Sequence, residues 1–287
     1  MIFAHTFTSI EVELAHQVGK TQKVSQIDIR EIKEKKQLRR LHNFHSPEIL
    51  LYSFQMFDKY SFLHSFEDEL QAVKILLEYA IEHGIRKIIV MSYPGSYYNS
   101  SNLFLQHKGE IEKLFVSSGI PCTILLVQGI MDTKRRRHNF HSLFFRASQG
   151  TYVLPKTKNK MMYSISLSSL VSIVFKCITE DHYSKYDVFD RAFDLQSFFK
   201  EASVHIPIRF VSPQWLYWEC YQGNYISPTM LELFLQPTLP MFNFRTQKEF
   251  NVHLGLLQLQ ESVVAPSQNA FSMQENTIQV LQNVHGY

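Results

Sequence analysis

The stretch Ile2–Gly19, IFAHTFTSIEVELAHQVG, has the outline of a strand, a tight loop and a helix. Its loop is the first place to look for anion chemistry. A helix N-terminus offers free backbone amides to a phosphate, and Thr8 and Ser9 add hydroxyls beside them. Dinucleotide-binding loops of this outline carry spaced glycines for a tight turn, close backbone approach and close helix–strand packing. Here those positions hold Thr6, Ser9 and Val12. A β-branched Thr resists positive φ, and Ser or Val adds a Cβ where the phosphate or the strand should pass. The expectation is that ordinary NAD(P) binding is lost, with Thr6, Thr8 and Ser9 left to hold any anion that binds. The next strand ends at Asp28, with Arg30 just beyond. An acid about twenty residues after such a loop can bind the ribose of NAD, and a nearby Arg the extra phosphate of NADP. A strand-end carboxylate without a ligand is the plainer reading of Asp28.

Other constellations are sparse. Two histidine pairs, His42/His45 and His138/His141, have the spacing of one helix face, but neither has a convincing third ligand for a metal. There is no Gly-x-Ser-x-Gly elbow, no phosphate-binding Gly-Lys-Ser/Thr loop and no paired-cysteine motif. Cys122, Cys177 and Cys220 are far apart and read as reduced thiols. Lys134 to Lys160 holds eight Lys or Arg and no Asp or Glu. Such a run is either a solvated loop or a site for an anionic partner. The net charge of +3 does not argue for nucleic acid.

With 287 residues, 45% of them hydrophobic, the chain can bury a large core. No run of eighteen apolar residues and no charged-then-apolar leader is present, so the expectation is a cytoplasmic chain with no membrane partner. Strands and helices alternate over the first 130 residues. MIFAH, KVSQIDI, EILLYSF, RKIIVMS and CTILLVQ read as strands. REIKEKKQLRRL reads as an exposed helix, and SFEDELQAVKILLEYAIEHG as a helix burying Phe66, Leu70, Val73, Leu77 and Ala80. A further helix spans about Leu103 to Ser117. This alternation implies an α/β fold with a mainly parallel sheet covered on both faces. Later, TYVLP, MMYSIS and KYDVFDR read as short strands, and Ser168–Thr179, Asp194–Ala202 and SPQWLYWECYQG as helices. The aromatics of Trp215–Tyr221 are expected in the core of a small lobe or along its cleft. The tail from about Glu261 is polar.

The segment AVKILLEYAIEHGIRKIIVMSYPGSYYNSSNLFLQHKGEIEKLFVSSGIPCTILLVQGIMD resembles the NmrA-like, atypical branch of the short-chain dehydrogenase/reductase superfamily. The matching features are His83-Gly84-Ile85, the strand ending in Ser92, and Lys108-Gly109-Glu110 with Glu112. YSISLSSLVSIVFKCI and SPQWLYWECYQG resemble segments of that branch's substrate lobe. The likeness covers roughly residues 45–235 and is weaker before them. It implies a Rossmann-type doubly wound sheet of order 3-2-1-4-5-6 with a small C-terminal α+β lobe. The implied division is a core over 1–150, a lobe over 151–260 interleaved with it, and a tail over 261–287. The front end is too short for a full copy. Losing the central first strand would leave buried backbone groups unpaired, whereas losing the edge strand only exposes a new edge. MIFAH is therefore assigned to the first strand and KVSQIDI to the second, with the third strand reduced or absent. The rival assignment is a chain that starts at strand two.

In such enzymes a Ser orients the substrate, a Tyr is the general acid, and a Lys four residues later holds the nicotinamide ribose. The resemblance puts Ser92 and Lys108 in those places, but the Tyr position is Phe104, and a phenyl ring cannot donate a proton. Tyr97 and Tyr98 are the nearby substitutes. Without a ligand, Lys108 would be an exposed helix residue pairing with Glu112. Two functions follow. One is a degenerate member that binds or regulates and takes no cofactor. The other is an NAD(P)H-dependent atypical oxidoreductase acting on a small carbonyl, quinone or enone. A small molecule, a protein partner and a homodimer all remain open, and nucleic acid is disfavoured.

Overall fold

In the computed structural model the residues described are 1–5, 9–38, 48–53, 66–132, 134, 137–157, 160–181, 183–202, 205–222 and 228–235. Thr6, Thr8, the pair His42/His45 and the tail from Glu261 lie outside them, as does the side chain of Ser9. The first half runs β1 (Ile2–His5), α1 (Ser9–Gly19), β2 (Ser25–Asp28), β3 (Ile49–Ser53), α2 (Phe66–Glu82), β4 (Lys87–Ser92), α3 (Leu103–Ser117) and β5 (Cys122–Leu126). The second half opens with β6 (Gly129–Asp132), β7 (Arg137–His138), α4 (His141–Phe144), β8 (Phe145–Arg146), β9 (Thr151–Pro155) and β10 (Met161–Ser166). It continues with α5 (Leu167–Thr179), β11 (Lys185–Asp187), β12 (Arg191–Asp194), α6 (Leu195–Ala202), β13 (Ile208–Val211), α7 (Pro213–Tyr221) and α8 (Pro228–Leu235).

Six parallel strands form the main sheet in the order β11-β5-β4-β3-β1-β2. β1 pairs with β2 on one side and β3 on the other, so the chain does not start at strand two; that rival assignment is corrected. Among the described residues no strand lies beyond β2. Successive residues of each strand point to opposite faces. Ile2, Ala4, Leu50, Tyr52, Ile88 and Val90 pack under α2 and α3. Phe3, Leu51, Ile89, Met91 and Leu125 pack under α1 and α5. A four-stranded sheet, β12-β10-β6-β7, and a three-stranded one, β13-β9-β8, carry the smaller part of the fold.

Two local expectations change. The exposed helix expected from Arg30 is instead a 3₁₀ turn at Ile29–Glu31 and a second turn before residue 39. The Asp28 carboxylate accepts the Arg30 amide, and the Gln37 carboxamide oxygen accepts the amides of Lys33 and Glu34, so side chains compete for the bonds a helix would use. Ile29, Ile32 and Leu38 are buried with α2. In α2 Val73, Leu77 and Ala80 are buried as expected, but Phe66 and Leu70 are only half-buried, and Glu69, Ala72 and Leu76 join the inward face with Glu69 at its head. α3 matches the expected span, its first turn capped by Asn102, whose Oδ1 accepts the amides of Phe104 and Leu105.

Candidate functional site

Strand order reverses between β1 and β3, because α1 and α2 cover opposite faces of the sheet. In open α/β sheets the crevice at the carboxyl ends of such strands is where ligands bind. Here the strand ends carry His5, Tyr52, Ser53 and Ser92, all buried. Each meets a carboxylate from a facing helix.

On the α1 face, Glu11 in the first turn of α1 is fully buried. Ser53 Oγ donates to its Oε1 at 2.7 Å, and His5 Nδ1 lies 4.0 Å from its Oε2. His5 Nε2 is bonded to Gln26 Oε1 at 2.9 Å. Burial lowers the pKa of His5, against the opposing pull of Glu11.

On the other face, Glu69 receives three groups. Tyr52 Oη donates to Oε1 at 2.5 Å, Lys108 Nζ to the same oxygen at 3.1 Å, and His107 Nε2 lies 2.6 Å from Oε2. The carboxylate can only accept, so His107 carries its proton on Nε2. Its Nδ1 is buried without a hydrogen-bond partner, and its ring stacks on Phe66 at 4.3 Å. Burial lowers the pKa of Lys108, while Glu69, Glu11 and Glu112 pull it back up. Burial, together with Glu69, pushes the Tyr52 phenol well up.

The third carboxylate, Glu112, accepts from Ser92 Oγ at 2.5 Å, from Ser96 Oγ, and from Lys185 Nζ at 2.6 Å. Lys185 also donates to the Ser96 carbonyl at 3.0 Å, fastening the segment after β4 to the edge strand β11.

These contacts relocate the residues picked out in the sequence. Lys108 is 3% exposed and pairs with Glu69, not with Glu112 as expected of a surface helix residue. Ser92 is turned to Glu112, so Ser92 and Lys108 serve different carboxylates. Phe104 is buried edge-on to Tyr93, with Lys108 Nζ 5.6 Å from its ring centre. The rings of Tyr97 and Tyr98 face Lys185 and Lys113, along a groove of about 790 Å³ between α3 and β11. Asp28 ends β2 beside His5, but Arg30 folds back onto it, with Nη2 2.5 Å from Oδ2. Val12 is 42% exposed, so it does not press on a strand; Ile10, Leu14 and Val18 do that instead. His138 and His141 share the Tyr152 hydroxyl at 3.0 and 2.6 Å, and no metal-ligand cluster occurs among the described residues.

Glu11, Tyr52, Glu69, His107 and Lys185 were not singled out from the sequence. Glu69 had a readable signal: the 3- and 4-residue spacing of Ala80, Leu76, Val73 and Ala72 extends back to it. Glu11 had none, since an acid in a first helical turn is ordinarily a solvated dipole partner.

No protein-family profile and no curated protein matches the chain in sequence. Solved structures do match in fold. A nucleoside-diphosphate-sugar epimerase from Staphylococcus aureus superposes with a TM-score of 0.60 at 15% identity, over 87% of this chain and 95% of that one. The Bordetella bronchiseptica enzyme WbmG, solved with NAD and UDP, gives 0.57 at 12% identity over 87% of each chain. A dTDP-4-dehydrorhamnose reductase from Bacillus anthracis, solved with NADP, gives 0.53 at 10% identity over 74% and 84%. The architecture of this chain is thus the Rossmann-type α/β fold that these epimerases and reductases share.

Proposed function

We propose that this chain keeps the epimerase/reductase scaffold as a binding or regulatory protein and does not perform dinucleotide-dependent redox chemistry. Glu11 carries the reading. In this fold a dinucleotide's pyrophosphate sits on the N-terminus of the first helix, at the ends of the central strands. That place is met here by a buried carboxylate from the helix itself, held by Ser53 and facing His5. Two like charges about 5 Å apart repel by about 3 kcal/mol at an effective dielectric of ~20, and a pyrophosphate brings two. The residues present do not fit a dinucleotide held in that manner. Lys108 supports the same reading, because holding a ribose would mean leaving Glu69 uncompensated in the core. Phe104 supplies no proton. On its motifs we read the chain as nearest the NmrA-like branch.

The second reading, an NAD(P)H-dependent reductase, rests on Ser92 and Lys108 standing at the end of β4 and on α3. Titration of the purified chain with NADPH and with NADH, followed by calorimetry, separates the two. No saturable heat up to millimolar nucleotide is expected. Saturable binding at low micromolar concentration would overturn the proposal and establish the second reading.

A further inference from the structure

The helix α7 wears its apolar side outward. Only Leu216 and Cys220 are buried, while Trp215, Trp218 and Tyr221 are 37%, 56% and 78% exposed. Of these aromatics, expected in a lobe core or along its cleft, Tyr217 packs against the core, while Trp215, Trp218 and Tyr221 do not fill it. The two tryptophans of the chain are both here. Gln214 and Gln222 share the outer face, and Glu219 is half-buried on its flank. On the adjoining β13, Phe210 is exposed too, but it alternates with Arg209 and so points to the other face of the strand.

The cations lie alongside. Arg209 is stacked over the Trp215 ring, 6.0 Å from its centre. β13 runs parallel to β9, with Arg209 opposite Val153, and the Lys156 amide bonds the Val211 carbonyl just before the Ser212 cap of α7. Arg209 and Lys156 are both exposed. β9 belongs to the acid-free segment Lys134–Lys160, which the site at the strand ends does not use. The strand that leads into α7 is therefore paired with β9, and the exposed Lys156 follows directly on β9.

We infer that this face docks peripherally on an anionic lipid surface, through the Trp215, Trp218 and Tyr221 side chains, with Arg209 and Lys156 at headgroup level. Tryptophan and tyrosine favour the headgroup boundary, where the ring is buried and the N–H or O–H stays wet. Basic side chains beside them draw anionic headgroups. Trp218 and Tyr221, 56% and 78% exposed, offer a base or a peptide side chain little enclosure, whereas a fluid interface needs none. That no helix among the described residues is long and apolar enough to cross a membrane bears on crossing a bilayer, not on resting against one.

Because both tryptophans lie in this face, their emission reports on it directly. The full chain is mixed with extruded vesicles, either of phosphatidylcholine alone or with one third phosphatidylglycerol, and sedimented with them in parallel. The expected result is a blue shift and co-sedimentation with the mixed vesicles, and much weaker binding to the neutral ones. Arg209→Glu and Lys156→Glu should each weaken binding about fivefold or more. Trp215→Ser combined with Trp218→Ser should weaken sedimentation more than tenfold, with an unchanged circular dichroism spectrum because both side chains are exposed. No shift and no sedimentation at millimolar lipid overturns the inference, as does equal binding to neutral vesicles or binding untouched by these variants. A shift that follows protein concentration without lipid overturns it in favour of self-association. Quenching by a single-stranded oligonucleotide without a vesicle response overturns it in favour of nucleic acid.

Discussion

Replacing Lys108 with methionine tests whether this lysine is a structural counter-charge or a ligand-holding group. Both side chains of the Lys108–Glu69 pair are 4% exposed, and Nζ is 3.1 Å from Oε1. At that distance and an effective dielectric of ~20 the attraction is about 5 kcal/mol before desolvation is counted. Removing one partner of a buried pair typically costs about 3 to 5 kcal/mol, because the remaining charge has lost its compensation. Lys108→Met should therefore destabilise by about 3 kcal/mol or more, and lower the melting temperature by roughly 10 °C for a chain of this size. Adding Glu69→Gln removes the orphaned charge; its carbonyl oxygen can accept from His107 Nε2 while its amide donates to the Tyr52 oxygen. The double variant should recover at least about 2 kcal/mol, a coupling of the size expected of residues in contact. The assay is urea unfolding of the wild type, both single variants and the double variant. A residue kept for ligand chemistry behaves in the opposite way: its loss leaves stability within about 0.5 kcal/mol and abolishes nucleotide binding. That outcome refutes the structural reasoning.

Two further substitutions probe the scaffold around this cluster. A Cβ on Gly109 would stand 2.4 Å from the Tyr97 carbonyl carbon and the Tyr98 nitrogen, backbone atoms that cannot swing aside. Gly109→Ala should cost about 1 to 3 kcal/mol in thermal unfolding; an unchanged melting temperature would show that this segment does not cross α3 so closely. Burial lowers the pKa of His138 to about 3, well below its ordinary value of 6.5. A depressed folded-state value means stability that is present above pH 6.5 and lost as pH falls toward 3, at about 1.4 kcal/mol per pH unit. His138→Phe lacks this loss, so the variant should gain on the wild type by that slope below pH 6.5, and parallel profiles would refute the buried neutral imidazole.

The periodic parts of the fold could be read from the sequence because burial on both faces leaves uninterrupted apolar runs. KIIVMS and CTILL are strands wherever a parallel sheet exists, and α3 falls on its expected residues. The placing of MIFAH between two neighbours followed from the strand order that the family resemblance implies, together with the cost of unpaired central backbone groups. The charged segment after Asp28 misled, since its pattern is helical while its Asp and Gln side chains take the backbone bonds. The polar cluster was legible only in part. Lys108 and Ser92 stood out, but their partners lie 39 and 20 residues away in sequence, and no local spacing reveals such pairs. The outward aromatic face of α7 was illegible for a related reason. With aromatics all around the helix, periodicity gives no inward side, and only the packing of Leu216 and Cys220 selects one.

The polar ends of the main sheet's strands find partners within the chain. The C-terminal edge of a parallel sheet ends in polar groups that a bound ligand ordinarily completes. Here three carboxylates complete them from within. Glu11 accepts from Ser53 between β1 and β3, Glu69 accepts from Tyr52, and Glu112 accepts from Ser92. Each carboxylate is buried, and two of the three are neutralised by lysines, Lys108 and Lys185. A buried hydroxyl left without its acceptor costs about 1 to 3 kcal/mol, so this edge is stable only while the internal partners stay in place. A dinucleotide entering it would have to displace bonds that already satisfy the strand ends. The same bonds hold the strand ends to the helices that face them.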